Sequence, residues 1–251
     1  MKEQIFEIEN GEGEKLALHM CGDLQNTLII SCHGMLADKS STKHVYLTEQ
    51  LAKQGLTALR FDFSGRGNSE GKLYDLSLSK QINDLDAVIN YFYKQGVEKF
   101  GCFGSSFGGT VSILTAARDE RITALATLAA SAHPEWVEER HPELSYSFKD
   151  YNYAEIPEGK LGPTFYNDLF EYNVVRSLSI LRIPTYILHG ERDEVVPVAD
   201  ALDLASVAQD TRLEVIPEAD HRLSNPVQNR EAMNGVCQFF RDVFSDERKE
   251  P

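Results

Sequence analysis

The chain has 251 residues, enough for one large α/β domain with a full core, and its apolar, charged and aromatic fractions are ordinary for a globular protein. A formal charge of −14 argues against a basic, phosphate-neutralising face, so neither nucleic acid nor a membrane surface is an expected partner. Cys21, Cys32, Cys102 and Cys237 form no Cys-x-x-Cys pair, no His/Cys cluster has zinc spacing, and no apolar leader or membrane-length run occurs, so the expectation is a cytoplasmic protein without a metal.

Ile5 to Glu9 and Lys15 to Cys21 read as an antiparallel hairpin at a sheet edge, turning at Asn10-Gly11-Glu12-Gly13. Thr27 to Cys32 is a continuous apolar run, the pattern of a strand buried on both faces, and leads directly into His33-Gly34-Met35. Ser40 or Ser41 is placed to cap a helix that carries Val45, Leu47 and Leu51 and stops at Gly55. Leu56 to Phe61 is a second buried strand, followed by the glycine-dense loop Asp62 to Gly71. Leu78, Ile82, Leu85, Ile89 and Phe92 recur at spacings of four, three, four and three, one apolar helix face.

A short apolar run from Val97 to Phe103 then enters Gly104-Ser105-Ser106-Phe107-Gly108, with helix expected from Thr110 to Arg118. Ile122 to Ala130 reads as a strand. The alternation breaks from Ala132 to Val175, a stretch holding Trp136 and eight other aromatic residues. It is expected to be a partly helical cap inserted over the carboxyl edge of the sheet. Alternation resumes with a strand at Ile183 to Leu188, a helix at Val198 to Val207, a strand at Arg212 to Ile216 and a helix at Gln228 to Phe244. Ser245 to Pro251 is charged and expected to fray. Strands alternating with helices imply one domain, residues 1–251, with a mostly parallel sheet covered on both faces and the cap at about 132–175. Ligands of such sheets bind beyond the carboxyl ends of the strands.

Strand, Gly-x-Ser-x-Gly and helix in succession form the context of a nucleophile elbow, with Ser106 at its apex. A serine hydroxyl near neutral pH needs a base within hydrogen-bond reach, and the base needs an orienting acid. His221 follows the last expected strand and Asp193 the strand before it, so both loops open at the edge that carries the elbow. The order serine, acid, histidine is the one this architecture uses. Asp193 competes for the acid role with Glu194, Asp168 and Asp220. Acyl transfer also needs donors for a developing oxyanion. The backbone N–H of Phe107, just after the nucleophile, and of Met35, in the loop after Thr27 to Cys32, are the candidates.

With these residues in place the chain resembles the α/β-hydrolase superfamily over nearly its whole length. His33-Gly34, Gly104 to Gly108, His189-Gly190-Glu191-Arg192-Asp193-Glu194-Val195-Val196-Pro197 and Ala219-Asp220-His221 carry the resemblance. Arg60 to Gly71 is similar to the corresponding loop of small bacterial esterases of the cinnamoyl and feruloyl type. The resemblance implies an α/β-hydrolase fold and cofactor-free hydrolysis of a small-molecule carboxylic ester through an acyl-enzyme. It also implies that a cap tyrosine, for which Tyr166 is the candidate, binds a phenolic end of the substrate. Ser105 and Phe107 stand where such relatives often carry histidine and glutamine. A peptidase or thioesterase with the same triad, and a binding protein that has lost its chemistry, are the alternative readings.

Overall fold

The computed structural model describes residues 2–245. The amino-terminal hairpin is β1 (Glu3–Glu9) and β2 (Lys15–Cys21), paired antiparallel from Glu3 opposite Cys21 to Glu9 opposite Lys15. β3 (Thr27–Cys32) is the apolar run, buried from Leu28 onward. α1 (Thr42–Lys53) starts just after the two serines, but neither hydroxyl caps it: Ser41 Oγ donates to Asp38 O at 2.9 Å instead. β4 (Ala58–Phe61) precedes a 3₁₀ turn at Leu73–Asp75 and α2 (Leu78–Tyr93), whose apolar face is buried as its spacing predicts. Ser77 Oγ caps α2 by accepting from Lys80 N at 3.1 Å.

β5 (Lys99–Ser105) enters the elbow and α3 (Phe107–Ala116) leaves it. The helix begins three residues earlier than its composition predicts, because Gly108 and Gly109 serve in its first turn rather than in a loop. After β6 (Ile122–Leu128) the interrupting segment holds α4 (Val137–Arg140), α5 (Pro142–Tyr151), a hairpin of β7 (Ala154–Ile156) and β8 (Gly159–Leu161), and α6 (Pro163–Asp168). α7 (Val174–Ser179) leads to β9 (Thr185–Gly190), α8 (Val198–Val207), β10 (Thr211–Ile216) and α9 (Pro226–Ser245). The charged tail beyond Ser245 lies outside the described residues. Among those residues no helix is long and apolar enough to cross a membrane. All four cysteines are buried and unpaired.

The large sheet runs β1-β2-β4-β3-β5-β6-β9-β10, and β2 is antiparallel to both of its neighbours while the pairs from β4 to β10 are parallel. The chain passes from β3 outward to β4, then returns across β3 to place β5 on the other side. The strand order therefore reverses between β3 and β5, where a crevice opens beyond their carboxyl ends. One core layer joins α2, α3, α7 and α8 to the sheet through Ile82, Val111, Leu178 and Leu204. The other places Leu47 and Leu51 of α1 beside Val236 and Phe240 of α9.

Two polar anchors hold the inserted segment to this body. At its start Arg140 grips the buried Asp200 of α8 with two bonds of 2.9 and 2.6 Å, and Asp200 also accepts Ala132 N–H at 2.8 Å. At its end Asp168 accepts Ser79 N–H at 2.6 Å and Ser79 Oγ–H at 2.7 Å on α2. Removing one partner of a buried ion pair strands the other charge. Arg140→Ala is therefore expected to destabilise the protein by about 3 kcal/mol in urea unfolding. Arg118→Ala, which breaks an exposed pair with Asp86, should change the midpoint little.

Candidate active site

Ser106 joins β5 to α3 at φ 54° and ψ −124°, a left-handed conformation that side chains rarely adopt. Its neighbours leave no space for a relaxed turn. A Cβ on Gly104 would lie 2.3 Å from Gly108 O, and one on Gly108 would lie 2.3 Å from His33 O. Only glycine lets these three backbones meet. The turn is pinned by Ser106 N–H donating to Leu128 O at 2.7 Å and Gly109 N–H donating to Ser106 O at 2.8 Å. The hydroxyl is thereby raised above the sheet at the amino end of α3.

β9 and β10 are parallel neighbours, so the loops after Gly190 and Ile216 open on the same edge as the elbow. Glu218 and Leu223, at φ 59° and 51°, bend the second loop inward on either side of His221. His221 Nδ1 lies 2.7 Å from Asp193 Oδ2, and Nε2 lies 3.0 Å from Ser106 Oγ. With the Nδ1 hydrogen donated to the carboxylate, Nε2 is left as an acceptor facing the hydroxyl. The competing acids are engaged elsewhere: Asp168 binds Ser79, Asp220 accepts Ser224 N–H at 2.8 Å, and Glu194 accepts the backbone N–H of His221 at 3.2 Å. Burial pushes the Asp193 carboxyl up, but bonds from His189, His221 and Val196 N–H outweigh it and hold Asp193 well below the usual carboxylate range.

The loop after β3 approaches the elbow from the other side. A Cβ on Gly34 would sit 3.3 Å from Ser106 Cβ. Neither Met35 N–H nor Phe107 N–H finds an acceptor among the described residues. The Met35 side chain packs, half-buried, against the core. The loop is held from behind. His33 Nδ1–H donates to Gly34 O at 2.7 Å while its Nε2 accepts Phe63 N–H at 3.0 Å. Arg66 donates to Leu36 O at 2.7 Å, and Asp62 accepts Lys39 N–H at 2.7 Å and also binds the Lys39 ammonium. The glycine-dense stretch from Asp62 to Gly71 is thus the brace of the Met35 loop.

The family model for serine aminopeptidase, S33 matches residues 25–149. The mitochondrial palmitoyl-protein thioesterase ABHD10 of Rattus norvegicus is 29% identical over 217 residues, 79% of this chain and 70% of the relative. The solved structure of Est1E from Butyrivibrio proteoclasticus with ferulic acid superposes with a TM-score of 0.85 at 24% identity, covering 94% of this chain and 98% of that one. The chain has the α/β-hydrolase fold. Mouse α/β hydrolase domain-containing protein 10 shares this fold, with a TM-score of 0.80 at 22% identity over 96% of this chain and 99% of that one.

Within this α/β-hydrolase fold the inserted segment supplies an aromatic row that starts at the elbow. Phe107 stacks on Phe165 at 6.0 Å, Phe165 on Phe148 at 6.1 Å, Phe148 on Tyr166 at 5.1 Å, and Tyr166 meets Phe170 edge-on at 5.2 Å. Tyr166 is therefore two rings removed from Phe107, and its hydroxyl donates to Glu138 within the cap. The structure thus gathers Ser106, Asp193, His221, Phe107 and the Met35 loop at one place, and sets Tyr166 in the row between Phe148 and Phe170. Sequence reasoning placed Phe165 and Phe148 among the cap aromatics without singling them out, because their order depends on how the cap folds. It also passed over Lys43, whose ammonium donates to Ser105 Oγ at 3.3 Å. Burial pulls Lys43 down to about 8. Among the described residues no group of three or more His, Cys, Asp or Glu side chains could hold a metal ion.

Proposed function

We propose that this hydrolase is a serine esterase that cleaves small to medium carboxylic esters or thioesters through an acyl-enzyme, with no cofactor. The observation that carries the reading is the unbroken line Ser106 Oγ, His221, Asp193, at 3.0 and 2.7 Å. In the first step the Ser106 oxygen attacks the carbonyl carbon and its proton passes to His221 Nε2. Asp193 holds the ring orientation and faces the imidazolium that forms. The carbonyl oxygen becomes an oxyanion against Phe107 N–H and Met35 N–H. The proton on Nε2 then moves to the departing alcohol or thiol as that bond breaks. Water, deprotonated by the same nitrogen, releases the acid and restores Ser106.

The aromatic row supports an apolar or planar acyl group lying along Phe107, Phe165 and Phe148. The relatives fit either class: the rat protein is described as a palmitoyl-protein thioesterase, and the bacterial esterase was solved with ferulic acid. A thioester fits beside an ester because the buried phenylalanines suit an alkyl chain as well as a ring.

The test is labelling by a small fluorophosphonate, with p-nitrophenyl acyl esters, methyl ferulate, an acyl thioester and an aminoacyl anilide as substrates. Labelling of Ser106 with ester or thioester turnover is expected. An unlabelled Ser106 would identify a protein that only binds, and faster anilide cleavage would make it a peptidase. Each added methylene that reaches the row should raise kcat/KM about fourfold, from about 0.8 kcal/mol per buried group. Phe165→Ala should flatten that profile while labelling of Ser106 persists. An unchanged profile would show that the row is not the acyl site.

A further inference from the structure

Asp193 sits between two imidazoles. His221 Nδ1 lies 2.7 Å from Oδ2, and His189 Nε2 lies 3.2 Å from the same oxygen. His189 belongs to β9, four residues before Asp193, and its side chain is 1% exposed. Nε2 is also 2.8 Å from Val196 O, which can only accept, so Nε2 carries the ring hydrogen. Nδ1 is buried with no partner among the described residues. The second carboxylate oxygen, Oδ1, accepts Val195 N–H at 2.9 Å and Val196 N–H at 2.8 Å. A buried polar nitrogen left without a bond is costly, and an aliphatic residue would fill β9 without that cost. The Nε2–H contact with the acid and its loop is what offsets it.

We propose that His189 is a positioning residue: its Nε2–H, shared between Val196 O and Asp193 Oδ2, fixes the oxygen that orients His221 and draws charge away from it. The inference rests on the triad reading above. Without this donor the carboxylate is held only by the two N–H bonds to Oδ1 and by His221 itself, a looser hold that lowers the fraction of enzyme with a correctly aimed base. The carboxylate also becomes more negative at His221, which favours the imidazolium and moves the acid limb of the pH–rate profile upward. The other charged groups around the pair are Glu194, which accepts His221 N–H, Lys43 on α1, and Asp220 and Arg222 on the histidine loop. The substitutions below leave all of these in place.

His189→Leu removes the donor and keeps an apolar side chain in the strand, whereas His189→Gln supplies a neutral amide donor. In the full-length protein His189→Leu is expected to lower kcat about 10- to 100-fold with little change in KM. Its acid limb should move to higher pH. His189→Gln should recover most of the rate and the wild-type limb. The proposal is overturned if a folded His189→Leu that still labels at Ser106 keeps the wild-type kcat and acid limb. It is equally overturned if the leucine and glutamine variants are impaired alike, since packing would then be the cause. Should neither variant fold, nitrogen-15 spectra of the wild-type imidazoles decide: hydrogen on His189 Nε2 and a bare Nδ1 are expected, and the reverse tautomer sinks the idea. Wild-type protein that fails to label at Ser106 overturns the triad itself, an outcome visible without any His189 variant.

Discussion

With Ser106 replaced by alanine, ester turnover is expected to fall on the order of 10⁶ in kcat, the loss that follows removal of a serine nucleophile. Three features set that size. Among the described residues the hydroxyl's hydrogen-bond partner is His221 Nε2, so on the proposed mechanism its loss removes the reacting atom rather than a support. The turn is held by backbone bonds to Leu128 and Gly109, and these survive the substitution, so urea unfolding should be nearly unchanged. Alanine keeps the same Cβ at φ 54°, so strain at the elbow is carried over. Ser105→Ala is the control. Its hydroxyl is buried and accepts from Lys43, away from His221, and a loss of at most a few fold is expected. Equal damage from both variants would point to another nucleophile.

Asp193→Asn should cost on the order of 10⁴ in rate, since an amide at this position favours the wrong tautomer of the base. An Asn nitrogen facing His221 turns the ring's Nδ1 from donor to acceptor, which leaves Nε2 protonated and unable to take the serine proton. Glu194→Gln should cost far less, because its contact is with the backbone N–H of His221 and not with the ring. Near-full activity in Asp193→Asn with loss in Glu194→Gln would reassign the acid. Stability gives a second readout. Asp193 is held below its ordinary value in the folded protein, so its contribution is present above the unfolded carboxylate value of about 3.9 and is lost as pH falls below it. The stability gap between wild type and Asp193→Asn should therefore narrow on acidification, and a gap constant from pH 6 to pH 3 would show that the hydrogen bonds around Asp193 do not stabilise its ionised form.

The elements most legible in the sequence are those whose signals are local. Thr27 to Cys32 is a strand with the predicted bounds because an apolar run of that length has few other ways to satisfy its backbone. The face Leu78, Ile82, Leu85, Ile89, Phe92 forms α2 because its period matches one side of a helix. The elbow declared itself because only glycine allows three backbones to meet at Gly104 and Gly108. Chain order then placed Asp193 and His221 in loops at the correct edge, since consecutive parallel strands all point their carboxyl ends the same way.

The signals that failed were those decided by competition. Ser41 had the residue type of a helix cap, but a nearer acceptor, Asp38 O, took its hydroxyl. The first turn of α3 read as loop because two glycines lower helix propensity, and burial against Ala130 overrides that. The β7–β8 hairpin escaped notice because strands of three residues carry no readable period.

The sequence by itself determined the layered α/β architecture, the position of the elbow and the serine–acid–histidine order, because each follows from local backbone chemistry and from the direction of the strands. Only the tertiary structure decided which acid meets His221, how Asp62 and Arg66 brace the Met35 loop, where the cap sends its aromatic row, and that His189 lies against Asp193. Those contacts join residues brought together by packing, and contact distance between such residues leaves no periodic or compositional mark on the chain.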